Sequence, residues 1–486
     1  MLLIERFWFV FLGLLLGCCI SSHANAQRLL VTGDILLSRM VSQEIQLRHG
    51  QSPWAHILLP SADWVVGNLE GSVGTTTDCL SSEHRLCFAT QASYLDFLNT
   101  AGFKMLGIEN NHSADLGVHG KIKTRESLQQ RGLSFIDFDY SPTFLKLGQH
   151  TIAWIAVNTV AGADKQKTDV PSLLLSQKIR LARALADFVV IYIHWGEELV
   201  DWPHKQQYEM ARWLINQGVD VILGHHPHVV QEATCLNQRP VFFSLGNHVF
   251  DQKYPPTKDG LMADCQIKEG QLSCAAWHTH TRASSSFPYK IDFDTTISSN
   301  LKSCTVKAHA PLHIDDHVLS LELEDKQLAQ ERLILQAQKK EDTTKLPVKI
   351  RLSHVLSVFS ARLDQDKNKP AFLLTLERHF SSLDHKESPR PYVYRFTDHG
   401  LVAAWRGSAL AWPLIDIQLI SVSGVDYLCA LHQQDSFLVS GVSSATRTAV
   451  YQWNGFGFSG VDGSESLSTQ CRLLFARLSK TLSLGK

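Results

Sequence analysis

Residues 219–228 read Val-Asp-Val-Ile-Leu-Gly-His-His-Pro-His. An apolar run stops at a glycine and gives way to three histidines. A buried strand that ends in a polar cluster holds chemical groups on a rigid support. In an extended backbone His226 and His228 lie on one side, about 7 Å apart at Cα. Pro227 fixes its own φ and biases His226 toward extended geometry. Two neutral imidazoles so placed suit Zn, Mn, Fe or Ni. The same letters also fit a polar turn whose histidines cap backbone carbonyls. What decides between the two is how the other strands end.

They end alike. Residues 28–34 form an apolar strand that stops at Gly33-Asp34, and residues 64–70 another that stops at Glu70-Gly71. A helix over 94–102 leads into a strand over 103–108 and then Glu109-Asn110-Asn111-His112. Helices over 121–131, 176–186 and 204–217, two of them closed by Gly132 and Gly218, alternate with strands over 151–157, 188–193 and 240–245. The 188–193 strand runs into His194-Trp195-Gly196-Glu197, and the 240–245 strand into Gly246-Asn247. Alternating strands and helices, with continuous apolar strands, predict an α/β fold whose sheets are buried on both faces. Ligands in such folds bind beyond the carboxyl ends of the strands. That edge would carry Asp34, Glu70, Asn111, His112, His194, His226, His228 and, more weakly, Asn247. Core packing needs none of these residue types. Together they fit a metal centre.

At 486 residues the chain predicts two or more domains. With 46 basic and 47 acidic residues the net charge is −1, so there is no broad single-sign field to draw in nucleic acid. The N-terminus, residues 1–26, reads as a secretory signal. Residues 7–20 are apolar but shorter than a membrane span, and Ala24-Asn25-Ala26 is a small-x-small cleavage site. Leu15-Leu16-Gly17-Cys18 competes as a lipoprotein-type site. A lipidated Cys18, or an uncleaved signal anchor, would tether the chain to a membrane. The expected location is secreted or periplasmic. Of ten cysteines, eight follow the signal. In an exported chain these suggest disulfides, with Cys79/Cys87, Cys265/Cys274 and Cys429/Cys471 as pairings.

Beyond residue 255 the pattern loosens. Residues 260–274 predict a hairpin, and His278 and His280 read as exposed loop histidines. Residues 326–340 read as a polar helix, and 341–345 as a linker. From 348 to 480, short apolar runs between turn-rich segments predict a smaller all-β domain. There Trp405, Trp412 and Trp453 read as core more readily than as a sugar-binding platform.

At the edge, Asp34 and Glu70 would bring negative charge to one or two divalent cations (Mn, Zn, Fe or Ca). Asn111 would add a neutral oxygen, and His194, His226 and His228 would complete the ligands. His112 is placed as a general acid. The motifs Gly33-Asp34-Ile35-Leu36, Asn68-Leu69-Glu70-Gly71, Asn110-Asn111-His112 with Asp115-Leu116-Gly117, His194-Trp195-Gly196-Glu197, Gly224-His225-His226-Pro227-His228 and Ser244-Leu245-Gly246-Asn247 with Phe250-Asp251-Gln252 resemble the CapA family. These are bacterial capsule, or poly-γ-glutamate, synthesis proteins related to calcineurin-like metallophosphoesterases. The resemblance spans residues 28–252. It implies a four-layer α/β sandwich within residues 27–340, a divalent-metal site and an anionic polymer, glycan or peptide of the cell envelope as partner. The activity it suggests is a metal-dependent hydrolase. The other readings are a polymer-binding assembly factor and a metal-assisted epimerase with His112 or His248 as base. Two features depart from the metallophosphoesterase pattern. No histidine follows Asp34 at the Asp-x-His position, and Glu70 stands where an aspartate is usual.

Overall fold

The computed structural model describes residues 27–80, 86–138, 142–162, 172–323, 332–339, 348–366, 368–380, 385, 387–397, 400–407, 410, 412–433, 445–461 and 463–478. The expected signal segment and the 341–345 linker lie outside the described residues.

Two sheets organise the N-terminal half. The first runs, edge to edge, Pro288–Asp294, Gln271–Thr281, Asp259–Lys268, Gln27–Ile35, Trp64–Leu69, Met105–Gly107 and Ser134–Ile136. Asn247–Val249 adds to Gln27–Ile35, and Thr305–Lys307 to Gln271–Thr281. Gln27–Ile35 pairs in parallel with Trp64–Leu69 and Asn247–Val249, but antiparallel with Asp259–Lys268. The second sheet runs Ala233–Leu236, Arg239–Phe242, Val221–His225, Phe188–His194, His150–Asn158 and Thr143–Leu147. Its four inner strands are parallel. Phe188–His194 and Val221–His225 are buried at every residue, as their unbroken apolar letters require.

The core shows how the sheets are layered. Val31, Val66 and Met105 of the first sheet share one cluster with Trp154, Val190, Tyr192 and Leu223 of the second. The first sheet's other face packs Leu30 and Leu106 with Phe103 and with residues of helices Arg39–Leu47 and Leu95–Thr100. The second sheet's other face packs Ile191 and Ile222 with residues of Ser172–Leu185 and Lys205–Gln217. The order is helices, sheet, sheet, helices.

Register then sets the strand ends side by side. Asp34 lies opposite both Asn247 and Asn68. Across the second sheet Asn158, His194 and His225 align. Two glycines permit this closeness. A Cβ at Gly33 would stand 2.1 Å from the Gly246 carbonyl oxygen, and one at Gly224 would stand 2.0 Å from that of Phe243.

Past residue 310 lie three four-stranded antiparallel sheets, within residues 312–353, 355–406 and 414–460. Helix Glu465–Leu478 follows, so this region is β-rich but not all-β. The polar helix expected over 326–340 is replaced, in its described part, by strand Arg332–Lys339, which pairs with Val348–Ser353. Its letters alternate, with Leu333, Leu335 and Ala337 buried, and that period-2 signal outweighs helix propensity. The expected boundary between 340 and 348 therefore falls between two paired strands. Leu319, Leu335 and Leu352 of this sheet join the cluster around helix Ser172–Leu185. Arg180 and Gln177 of that helix bond the buried Asp416 of the last sheet.

His278 and His280 also differ from expectation. They sit on strand Gln271–Thr281 and bond Asp294 at 2.6 Å and Asp259 at 2.7 Å. Trp405 and Trp453 fill a C-terminal core cluster. Disulfides join Cys79–Cys87, Cys265–Cys274 and Cys429–Cys471 as read, together with Cys235–Cys304.

Candidate metal centre

The strand ends converge on Glu70. Its carboxylate is fully buried, and neither oxygen has a hydrogen-bond partner. Three imidazoles surround it instead. The Nε2 atoms of His228, His112 and His194 lie 3.6, 3.9 and 3.9 Å from Glu70 Oε1. Such an orphaned buried carboxylate is costly unless a cation or proton answers it. Burial pushes the Glu70 carboxyl well above its ordinary range, beyond what the attraction of His228 offsets.

Asp34 is the opposite case. Its Oδ1 accepts from Asn68 Nδ2 at 2.8 Å and lies 2.9 Å from His225 Nδ1. Its Oδ2 accepts from the His226 backbone N–H and lies 3.2 Å from His228 Nδ1. Burial opposes the charge, yet the hydrogen bonds of His225 and His228 outweigh it and hold the carboxyl well below the usual carboxylate range. Asp34 thus orients the imidazoles while Glu70 stays open.

The tautomer of His228 follows from its contacts. Nδ1 faces Asp34 Oδ2 and, at 3.0 Å, Asn247 Oδ1, so the ring proton belongs on Nδ1. Nε2 is left with its lone pair toward Glu70. A carboxylate behind an imidazole is how metal-binding histidines are fixed. Burial acts against a charged His228, but Glu70 and Asp34 prevail and lift it to about 9. Burial, then the neighbouring His228, lower His226 to about 3. Its Nδ1 is buried without a hydrogen bond. His194 is likewise held neutral by burial, and its Nε2 lies 2.8 Å from Asn111 Oδ1.

Extended geometry for His226-Pro227-His228 does not hold. His226 and His228 have φ of +95° and +59°. The chain turns sharply after His225, and that turn, not strand alternation, aims both rings inward, 5.9 Å apart. Non-glycine residues with such φ are uncommon and strained, and they cluster at functional sites.

His112 is held on two sides. Its Nδ1 lies 2.9 Å from Asp115 Oδ2, and its ring stacks on Phe88 at 3.5 Å. Asp115 also accepts the Phe88 backbone N–H, and Cys87, beside Phe88, is disulfide-bonded to Cys79.

All seven residues read from the sequence, Asp34, Glu70, Asn111, His112, His194, His226 and His228, therefore meet in one cluster. Their ligand atoms fall into overlapping sets, Glu70–His194–His226 and Asp34–Glu70–His228, each within 4.8 Å. The residues fit a divalent cation, since they offer unpartnered lone pairs on a carboxylate and on imidazoles. Sequence reasoning did not single out Asn68, His225 or Asp115. Asn68 is near the end of strand Trp64–Leu69, two residues before Glu70 just beyond it, and that period-2 spacing was the available signal. Nothing local revealed that His225 reaches Asp34. His248, considered as a base, points elsewhere. It accepts from Trp54 Nε1 at 3.0 Å and packs near Phe103 in the core beyond the first sheet. Leu36, two residues after Asp34 where a histidine ligand would stand in Asp-x-His, is buried in that core too.

Fold and site define an α/β protein with a buried carboxylate–imidazole cluster at the carboxyl ends of parallel strands. Residues 28–252 match the family model described as bacterial capsule synthesis protein PGA_cap. Among its relatives is the PGA biosynthesis protein CapA of Bacillus subtilis (strain 168), 28% identical over 253 residues, 49% of this chain and 67% of the relative. The capsule biosynthesis protein CapA of Bacillus anthracis is 29% identical over 271 residues, 51% of this chain and 66% of that relative. An uncharacterized protein of Sinorhizobium fredii, y4sH, is 26% identical over 163 residues, 32% of each chain. The chain thus spans about two thirds of the length of the two CapA proteins, and its β-rich C-terminal region lies outside the family match.

Proposed function

We propose that this protein acts in capsule or poly-γ-glutamate metabolism, as a divalent-metal-dependent hydrolase of an anionic envelope polymer. The metabolic context comes from the names of its CapA relatives. The hydrolytic reading rests on one observation, the buried Glu70 carboxylate whose Oε1 faces three imidazoles and whose two oxygens have no hydrogen-bond partner. The layered strand-and-helix order supports a calcineurin-like arrangement. Four disulfides support an oxidising, extracytoplasmic location.

Glu70, His194, His226 and His228 would hold the cation, with Asn111 adding a neutral oxygen and Asp34 fixing the histidine tautomers. A divalent cation held there would supply Lewis acidity toward an acyl or phosphoryl oxygen and toward water. His112, its Nδ1 anchored on Asp115, presents Nε2 toward the centre and donates a proton to the leaving group. The ring stack on Phe88 fixes the plane of the imidazole, with Nε2 3.9 Å from Glu70 Oε1.

The test is a substrate panel of poly-γ-glutamate, phosphoesters, esters and amides, run with metal-replete protein and with His112→Gln. Cleavage of at least one member, dependent on metal and on His112, is expected. A metal-replete protein inert across the panel overturns the hydrolase reading. Polymer binding without cleavage would then favour the assembly factor, and solvent deuterium entering an uncleaved substrate the epimerase.

A further inference from the structure

One more carboxylate faces the centre from the solvent side. The chain leaves strand Phe188–His194 through a tight turn, with Gly196 at φ +87° and Leu199 at φ +63°. The Leu199 backbone N–H donates to the Pro227 carbonyl at 2.9 Å. The turn after one strand is thereby clamped to the His226–His228 turn after the next. Glu197 and Glu198 stand between Gly196 and Leu199. Glu197 pairs with His204 at 3.3 Å. Glu198 is exposed and, among the described residues, has neither a hydrogen bond nor an ion pair.

Its position is nonetheless defined. One Glu198 carboxylate oxygen and one ring nitrogen each of His226 and His228 all lie within 4.8 Å of one another. Those two histidines are 4% and 2% exposed, and His226 Nδ1 is buried with no partner. An exposed acid is by itself unremarkable, but an unpartnered acid clamped beside two buried imidazoles is not.

We infer that Glu198 is a metal ligand at the solvent-facing side of the centre, completing a Glu198–His226–His228 donor set for a divalent cation. This rests on the reading of the cluster as a metal centre. Two imidazoles and one carboxylate make a donor set that suits Zn or Mn and leaves further positions open to water or substrate. The inner set is centred on the fully buried Glu70, while the Glu198 side chain is exposed to solvent. The backbone clamp fixes where the chain starts, and the free carboxylate supplies the reach. Glu197, engaged by His204, is the built-in control.

The experiment is a Mn²⁺ titration of the metal-stripped protein, with free Mn²⁺ counted by electron paramagnetic resonance. It compares the parent, Glu198→Gln and Glu197→Gln. Melting curves in chelator confirm that each exposed substitution leaves the fold intact. The expected result is that Glu198→Gln binds Mn²⁺ about tenfold or more weakly than the parent, while Glu197→Gln matches the parent. If Glu198→Gln matches the parent in stoichiometry and affinity, the inference is overturned and the inner centre stands. If the parent itself binds no Mn²⁺ and no Zn²⁺, both readings fall together.

Discussion

Replacing Glu70 by glutamine should change the sign of its effect with the presence of metal. Glu70 is fully buried with both oxygens unpartnered, and burial raises its pKa well above the ordinary 4.5. A carboxyl raised in the fold stabilises the protein below its unfolded pKa. That contribution is lost as pH climbs through the folded pKa. Glutamine matches the neutral form at every pH. In chelator at pH 7.5, Glu70→Gln should therefore melt at or above the parent, by up to about 1–3 kcal/mol, the scale of an unanswered buried polar group. With metal the order reverses. At a hundred times the dissociation constant, a cation adds about 2.7 kcal/mol to the parent. For a unit of some 225 residues that corresponds to about 5–10 °C in Tm. The variant, having lost its anionic ligand, should gain little. Differential scanning fluorimetry of both proteins, with chelator and with Mn²⁺ or Zn²⁺, reads all four states. Equal metal shifts in the two proteins, or a variant that collapses in chelator, would refute the reasoning.

Metal affinity should rise with pH between about 6.5 and 9. His228 sits at about 9 in the fold, so its proton stabilises the metal-free protein fully below 6.5 and is lost through 9. A cation must displace that proton, while His226, at about 3, is already neutral. Calorimetry in buffers of different ionisation enthalpy should detect the released proton, and an affinity flat across this window contradicts the assignment. His112→Gln should lower turnover on whichever polymer is cleaved by about 10²–10⁴ and leave metal content unchanged. A parallel loss of metal would make His112 a ligand instead. Asp416→Ala should cost about 3–5 kcal/mol by chemical denaturation, because it strands Arg180 beneath the C-terminal sheets. A change below about 1 kcal/mol would mean that this buried pair does not hold the β-rich region to helix Ser172–Leu185.

What the letters revealed was governed by period. Strand Phe188–His194 is apolar throughout and runs straight into its functional histidine, so both the strand and the ligand were readable together. The same held for Asp34, Glu70 and His228, each at the end of a run or just beyond one. The path between His226 and His228 was not readable. Proline favours an extended residue before it, but the need to bring His228 back to Asp34 and Asn247 overrode that preference and forced positive φ. Asn68 and His225 acquire their roles only when the register sets them against Asp34, and register between distant strands leaves little local trace. Arg332–Lys339 was misread because its polar letters suit a helix, while its three buried apolar residues alternate as a strand does. The carboxylate partners of His278 and His280 are strand neighbours contributed from elsewhere in the sequence.

The central claim is that these strand ends hold a metal. The most direct measurement is elemental analysis of the purified protein beside a His226→Ala/His228→Ala double variant, each after reconstitution with Mn, Zn, Fe and Ca. The account predicts one or two equivalents in the parent and none in the variant. A folded parent that takes up none of the four would contradict it, and Glu70 would then be a buried acid neutralised by a proton alone.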